Sequence, residues 1–119
     1  FGNDIFDIYK DRISNIQTIL TTAKKIEIVR QLFTNQMNKS FALTEQLSYK
    51  AKDKKKYLSL VTMSLCSRCF VCLDQLKMNE KATNFVFMPE KYTREQLVCD
   101  MDKGNNKLKT IKYFLGQSI

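Results

Sequence analysis

Histidine is missing from the 119 residues of this chain. With it go the commonest general base, nucleophile activator and zinc ligand, and a triad hydrolase is excluded. Glycine is scarce: only Gly2, Gly104 and Gly116 occur, so neither a Rossmann fingerprint nor a P-loop can be written. Carboxylates are few, 12 Asp and Glu against 20 Lys and Arg. Several neighbour a base, as Asp11 does Arg12 and Glu95 does Arg94. No isolated acidic pair therefore offers acid and base chemistry or a magnesium site, and the chain reads as non-enzymatic. No apolar run is expected to approach the roughly 18 residues needed to cross a bilayer. The start, Phe1-Gly2-Asn3-Asp4, lacks the regions of a signal peptide. The expectation is a soluble domain without a membrane role; opening without Met, it reads as a fragment of a longer protein or a processed product.

What the chain has is positive charge and apolar periodicity. A net charge of +8 is large for this length and attracts anionic partners, nucleic acid or an acidic protein surface. Lys50, Lys52, Lys54, Lys55 and Lys56, offset only by Asp53, concentrate half of that excess in seven residues. A hydrophobic content of 44% suffices for one continuous core, so residues 1–119 read as a single helical domain.

The periodicity predicts a mainly α fold, a small bundle of about five helices packed antiparallel, with a short extended segment near residues 85–88. Ile5, Ile8, Tyr9, Ile13, Ile16, Ile19 and Leu20 predict one amphipathic helix. Ile26, Val29, Leu32, Phe33, Met37, Phe41 and Leu47 predict a second, either unbroken or divided near Asn38 with Ser40 capping the second piece. A third is expected from about Lys54 to Met78; its apolar residues from Tyr57 through Leu76 wrap most of the circumference, which places it at the centre of the core. Phe85-Val86-Phe87-Met88 before Pro89 favours extended backbone. Thr93 and Gln96 have capping-box spacing and open a helix through Met101, stopped by Gly104. Leu108, Ile111, Phe114 and Leu115 predict a last, basic helix.

Cys66, Cys69 and Cys72 form the sharpest local pattern, the C-x2-C-x2-C portion of a ferredoxin-type cluster motif, with Cys99 available as a fourth thiolate. Zinc would also suit four thiolates. Metal knuckles need a turn, however, whereas Leu65, Phe70, Val71 and Leu73 continue a helical run. Buried core thiols without a cofactor are the favoured reading; zinc, an iron–sulfur cluster or a disulfide involving Cys99 are the alternatives. The crowding of three thiols also favours a reducing, intracellular setting.

Two functions follow. In the first, Lys50, Lys52, Lys54, Lys55 and Lys56, joined by Lys107, Lys109 and Lys112, contact nucleic-acid phosphates with little sequence specificity. The unit from Thr93 to Leu115 has the outline of a helix-turn-helix, and equally that of any helical hairpin on a bundle. In the second, an amphipathic helix such as Ile26 to Leu47 packs against a partner or another subunit, making a homo-oligomer. Tyr57, Phe70, Phe85, Phe87 and Phe114 are expected in the core, while Tyr49, Tyr92 and Tyr113 beside lysines are freer to stack.

Overall fold

Polar residues divide the first apolar pattern into short pieces. In the computed structural model, which describes residues 1–99, helix α1 spans Gly2–Phe6, α2 Ile8–Ile13 and α3 Ile19–Thr22. The single helix expected through Leu20 does not form, because Asn15 turns the chain with φ 53°, a left-handed conformation that Asn tolerates. Thr18 then starts α3 with a capping box: its hydroxyl oxygen accepts from Thr21 N, and Thr21 Oγ1 accepts from Thr18 N. Ile5, Ile8 and Leu20 reach the core, and Ile13 and Ile16 stay exposed.

Helix α4 runs Ile26–Glu45 without a break. Ser40 does not cap a second piece; it sits inside the helix, its hydroxyl donating to Gln36 O one turn back. Helix α5, Ala51–Ala82, returns antiparallel to α4. Its 32 residues account for the 48 Å long axis of the structure, at about 1.5 Å per residue. Two ion pairs set the register: Arg30 with Asp74 at 2.6 Å and Lys77 with Glu27 at 3.0 Å. Beyond α5 come a 3₁₀ turn, Pro89–Lys91, and a short helix α6, Arg94–Leu97.

The core surrounds only the inner half of α5. There Cys66, Cys69, Cys72, Leu73 and Leu76 meet Ile5 and Ile8, Ile26, Val29 and Phe33 of α4, and Phe87, Tyr92 and Leu97. Phe33 packs edge-on against Phe1 and Phe70, with centroids 5.8 and 5.1 Å apart, a favoured aromatic geometry. Arg30 lies over the Phe70 ring, 4.9 Å from its centroid. The expectation that the third helix is central along its whole length is therefore corrected. The outer half, Ala51–Val61, has no buried residue, and with the last turns of α4 it projects as a two-helix arm. Between the halves a π turn, Thr62–Cys66, adds a residue to the helical winding.

The apolar content of α5 is also higher than the sequence reading allowed. It contains an 18-residue window of mean hydropathy 1.3, enough by length and composition to cross a bilayer, and 33% of that window is buried. Interspersed Ser and Thr had hidden this run. Its inner half nevertheless carries Asp74 and Lys77, whose charged partners lie on α4.

The segment after α5 is extended only in part. Phe85 has φ 63° and an exposed ring, so it is not the core residue expected. Phe87 is buried, and its N–H donates to Lys24 O at 2.8 Å; no strand forms among the described residues. Tyr92, expected to be free, is buried, its hydroxyl 2.6 Å from Thr83 Oγ1. Arg12 Nη1 clamps this region by donating to Pro89 O and Tyr92 O, at 3.1 and 3.0 Å. The Thr93–Gln96 capping box is present, but α6 stops at Leu97 instead of reaching Met101.

Candidate functional site

The lysine run winds through the first turns of α5, at the tip of the arm. At about 100° per residue, Lys52, Lys55 and Lys56 share one sector of the helix, with neighbouring Cβ atoms roughly 5–6 Å apart. All three are exposed, as is Lys50 at the N-cap. Lys54 points elsewhere and is half-buried: its ammonium donates to Glu45 O and Leu47 O, at 2.9 and 3.4 Å. Those carbonyls belong to the C-terminal end of α4, the negative end of its dipole. Lys54 thus closes the hairpin, which leaves the other four ammoniums as the ones presented to a ligand.

Local electrostatics add to this. Lys50 supplies no side-chain cap, so the N-terminus of α5 keeps its positive dipole end beside the ammoniums. Two acids, Glu45 and Asp53, moderate the field. Shallow grooves flank the tip. One, of about 600 Å³, is lined by Glu45, Lys55, Leu58, Thr62 and Met63 among others. The other, of about 250 Å³, includes Leu47, Tyr49, Asp53 and Tyr57. Tyr57, expected in the core, is instead exposed there, and Tyr49 is exposed as expected. Sequence reading missed this pairing of tyrosines with the tip. Its signal was the spacing of Leu47, Tyr57, Leu60 and Met63, read as core and exposed on the arm.

The cysteines lie at the opposite end of α5's function, inside the core. Cys66, Cys69 and Cys72 are buried along one helix that continues through the motif without a knuckle turn. Among the described residues no group of three or more His, Cys, Asp or Glu is arranged to hold a metal. Burial raises the Cys66 pKa. Burial also pushes Cys69 up to about 11, Cys66 adding to the effect while the N-terminal ammonium and Arg68 oppose it. For Cys72 the largest cause is a hydrogen bond with Cys99, then burial, and again the direction is upward. These thiols are protonated at neutral pH and are poor nucleophiles as they stand.

No protein family, curated protein or solved structure matches this chain. Lys107, Lys109 and Lys112, the last basic helix and the helix-turn-helix outline, with Phe114 and Tyr113, lie outside the described residues.

Proposed function

We propose that the domain binds nucleic acid without catalysing a reaction, holding the phosphate backbone on the arm tip with little sequence specificity. The observation that carries this reading is the display of Lys50, Lys52, Lys55 and Lys56 at the end of a projecting helical hairpin. Flexible ammoniums in that position reach a phosphate backbone while the rest of the domain stays clear of it. Tyr49 and Tyr57 supply exposed rings on which unpaired bases stack, so single strands are the better ligand. The sign and density of charge favour the same conclusion, since residues 50–56 carry half the excess charge of the chain.

The test is binding of the full chain to single-stranded and duplex DNA and RNA between about 50 and 300 mM salt, beside the variant Lys52→Glu/Lys55→Glu/Lys56→Glu. Each lost phosphate contact lowers the salt slope by about 0.7 on single strands, so three lower it by about 2. A variant that binds like the unaltered protein would remove the tip from the site. Failure of all four nucleic acids at the lowest salt would remove the function.

A second reading is favoured by the exposed Leu43, Leu47, Leu60, Met63 and Leu65 of the arm, an apolar surface at helical spacing. Here the arm is an assembly module, and a homo-oligomer doubles the basic tip. Light scattering in high salt separates the readings, because apolar association survives salt and phosphate binding does not.

A further inference from the structure

The segment after Tyr92 lies along the inner half of α5 in a regular descending register. Asn79 Nδ2 donates to Gln96 O at 2.7 Å. One turn earlier on the helix, Gln75 Nε2 donates to Gln96 O and Val98 O, each at 3.2 Å. Leu97 between these carbonyls is buried in the core. One turn earlier again stands Cys72, and Cys99, the residue after Val98, packs against the core cluster to which Cys72 belongs while staying only half-buried. A hydrogen bond with Cys99 is the largest influence on the Cys72 thiol. Three successive positions on one helix face, 79, 75 and 72, thus hold residues 96, 98 and 99. The two thiols are brought together by polar clamps that do not involve sulfur.

We propose that Cys72 and Cys99 form a disulfide by exchange with a low-molecular-weight disulfide of the glutathione type, fastening residues 93–99 to α5. The half-exposed Cys99 is the entry point. Its thiolate attacks one sulfur of the small disulfide and expels one thiol, leaving a mixed disulfide on Cys99. With Cys99 capped, the thiol hydrogen bond that most strongly holds Cys72 protonated is gone; Cys72 gives up its proton, attacks the Cys99 sulfur and expels the second thiol. The protein thiols give up two protons and two electrons, and the small disulfide is reduced to two thiols. The clamps at Asn79 and Gln75 supply the proximity that makes the second step intramolecular. Cys66 and Cys69 take no part. Cys99 acts on Cys69 only through its field, whereas it hydrogen-bonds Cys72, the cysteine one turn from Gln75, and Cys66 lies a further turn toward the arm.

The experiment equilibrates the full chain with mixtures of oxidised and reduced glutathione and reads intact mass, then maps the linked peptides. The expected result is loss of the mass of two hydrogens in the unaltered protein and in Cys66→Ser, with a Cys72–Cys99 peptide pair. No such loss occurs in Cys99→Ser, a half-buried position where the small isosteric change leaves folding intact; circular dichroism verifies this. Addition of reductant restores the starting mass. Three results would each overturn the proposal: a persistent glutathione adduct on Cys99, a bond mapped within 66–72, or no mass change in oxidised buffer.

Discussion

Helix α4 has no cap of its own. Lys25, at its N-cap, makes no side-chain cap bond, yet the first helical N–H, that of Ile26, is fully buried. Glu80, near the other end of the hairpin on α5, supplies the acceptor: its Oε2 lies 2.6 Å from Ile26 N. Glu80 is itself only 6% exposed, so this is a carboxylate in the core held against the positive end of a 20-residue helix. A hydrogen bond to a charged group contributes about 1.5–3 kcal/mol, and deleting one partner leaves the buried N–H unsatisfied, which puts the cost at the upper end of that range. Glu80→Ala is therefore expected to lower stability by about 3 kcal/mol, a drop in midpoint on the order of 10–20 °C. Glu80→Gln keeps an oxygen acceptor without the charge and is expected to lose about half as much. Urea unfolding followed by far-ultraviolet circular dichroism measures both, with unchanged m values as the sign that only stability moved. An alanine variant within about 0.5 kcal/mol of the unaltered protein, or one less affected than the glutamine variant, refutes the reasoning.

Removing the Lys54 ammonium separates its role from that of its neighbours. Lys54→Met should cost about 0.5–1 kcal/mol of stability through the lost bonds to the α4 carbonyls, while nucleic-acid binding changes less than in Lys52→Met. The thiols make a kinetic prediction. Because burial raises the Cys66 and Cys69 pKa values, and the Cys99 hydrogen bond raises that of Cys72, these sulfurs carry little thiolate at pH 7. Alkylation of Cys69 by iodoacetamide is expected to lag far behind that of a free thiol and to accelerate about tenfold per pH unit below its pKa of about 11, or abruptly in denaturant. Modification at pH 7 as fast as in the unfolded chain would contradict this.

The sequence carries the fold unevenly. Helices α4 and α5 were legible because both keep apolar residues at three- and four-residue steps with no Gly or Pro to stop them. The Thr93–Gln96 box was legible for a local reason, since its two hydrogen bonds need only residues three apart. The break at Asn15 was not, because the pattern of isoleucines continues across it while the backbone turns on one polar residue. Nor could periodicity distinguish a buried helix from an exposed arm. Leu60 and Leu73 sit in the same apolar run, and only the length mismatch between α5 and the elements around it leaves Leu60 outside. The site was legible as composition: the lysine run was visible, but the loss of Lys54 to the hairpin depends on where the end of α4 arrives. Cys99 meeting Cys72 depends on the side chains of Gln75 and Asn79, contacts no spacing rule encodes.

The π turn at Thr62–Cys66 governs a quantity that none of the lysines controls, namely the direction in which the tip faces. A π turn closes with i→i+5 bonds and takes one more residue to go round than an α turn, so it absorbs that residue, and everything outward of it faces about 100° away from where an unbroken α-helix of the same sequence would put it. Deleting one residue from this stretch would let it wind as an ordinary α turn and leave the tip facing as before. A deletion elsewhere in α5 between tip and core would instead turn the tip by about 100°. The orientation of the basic surface therefore depends on where one residue is absorbed, without any charged residue being involved.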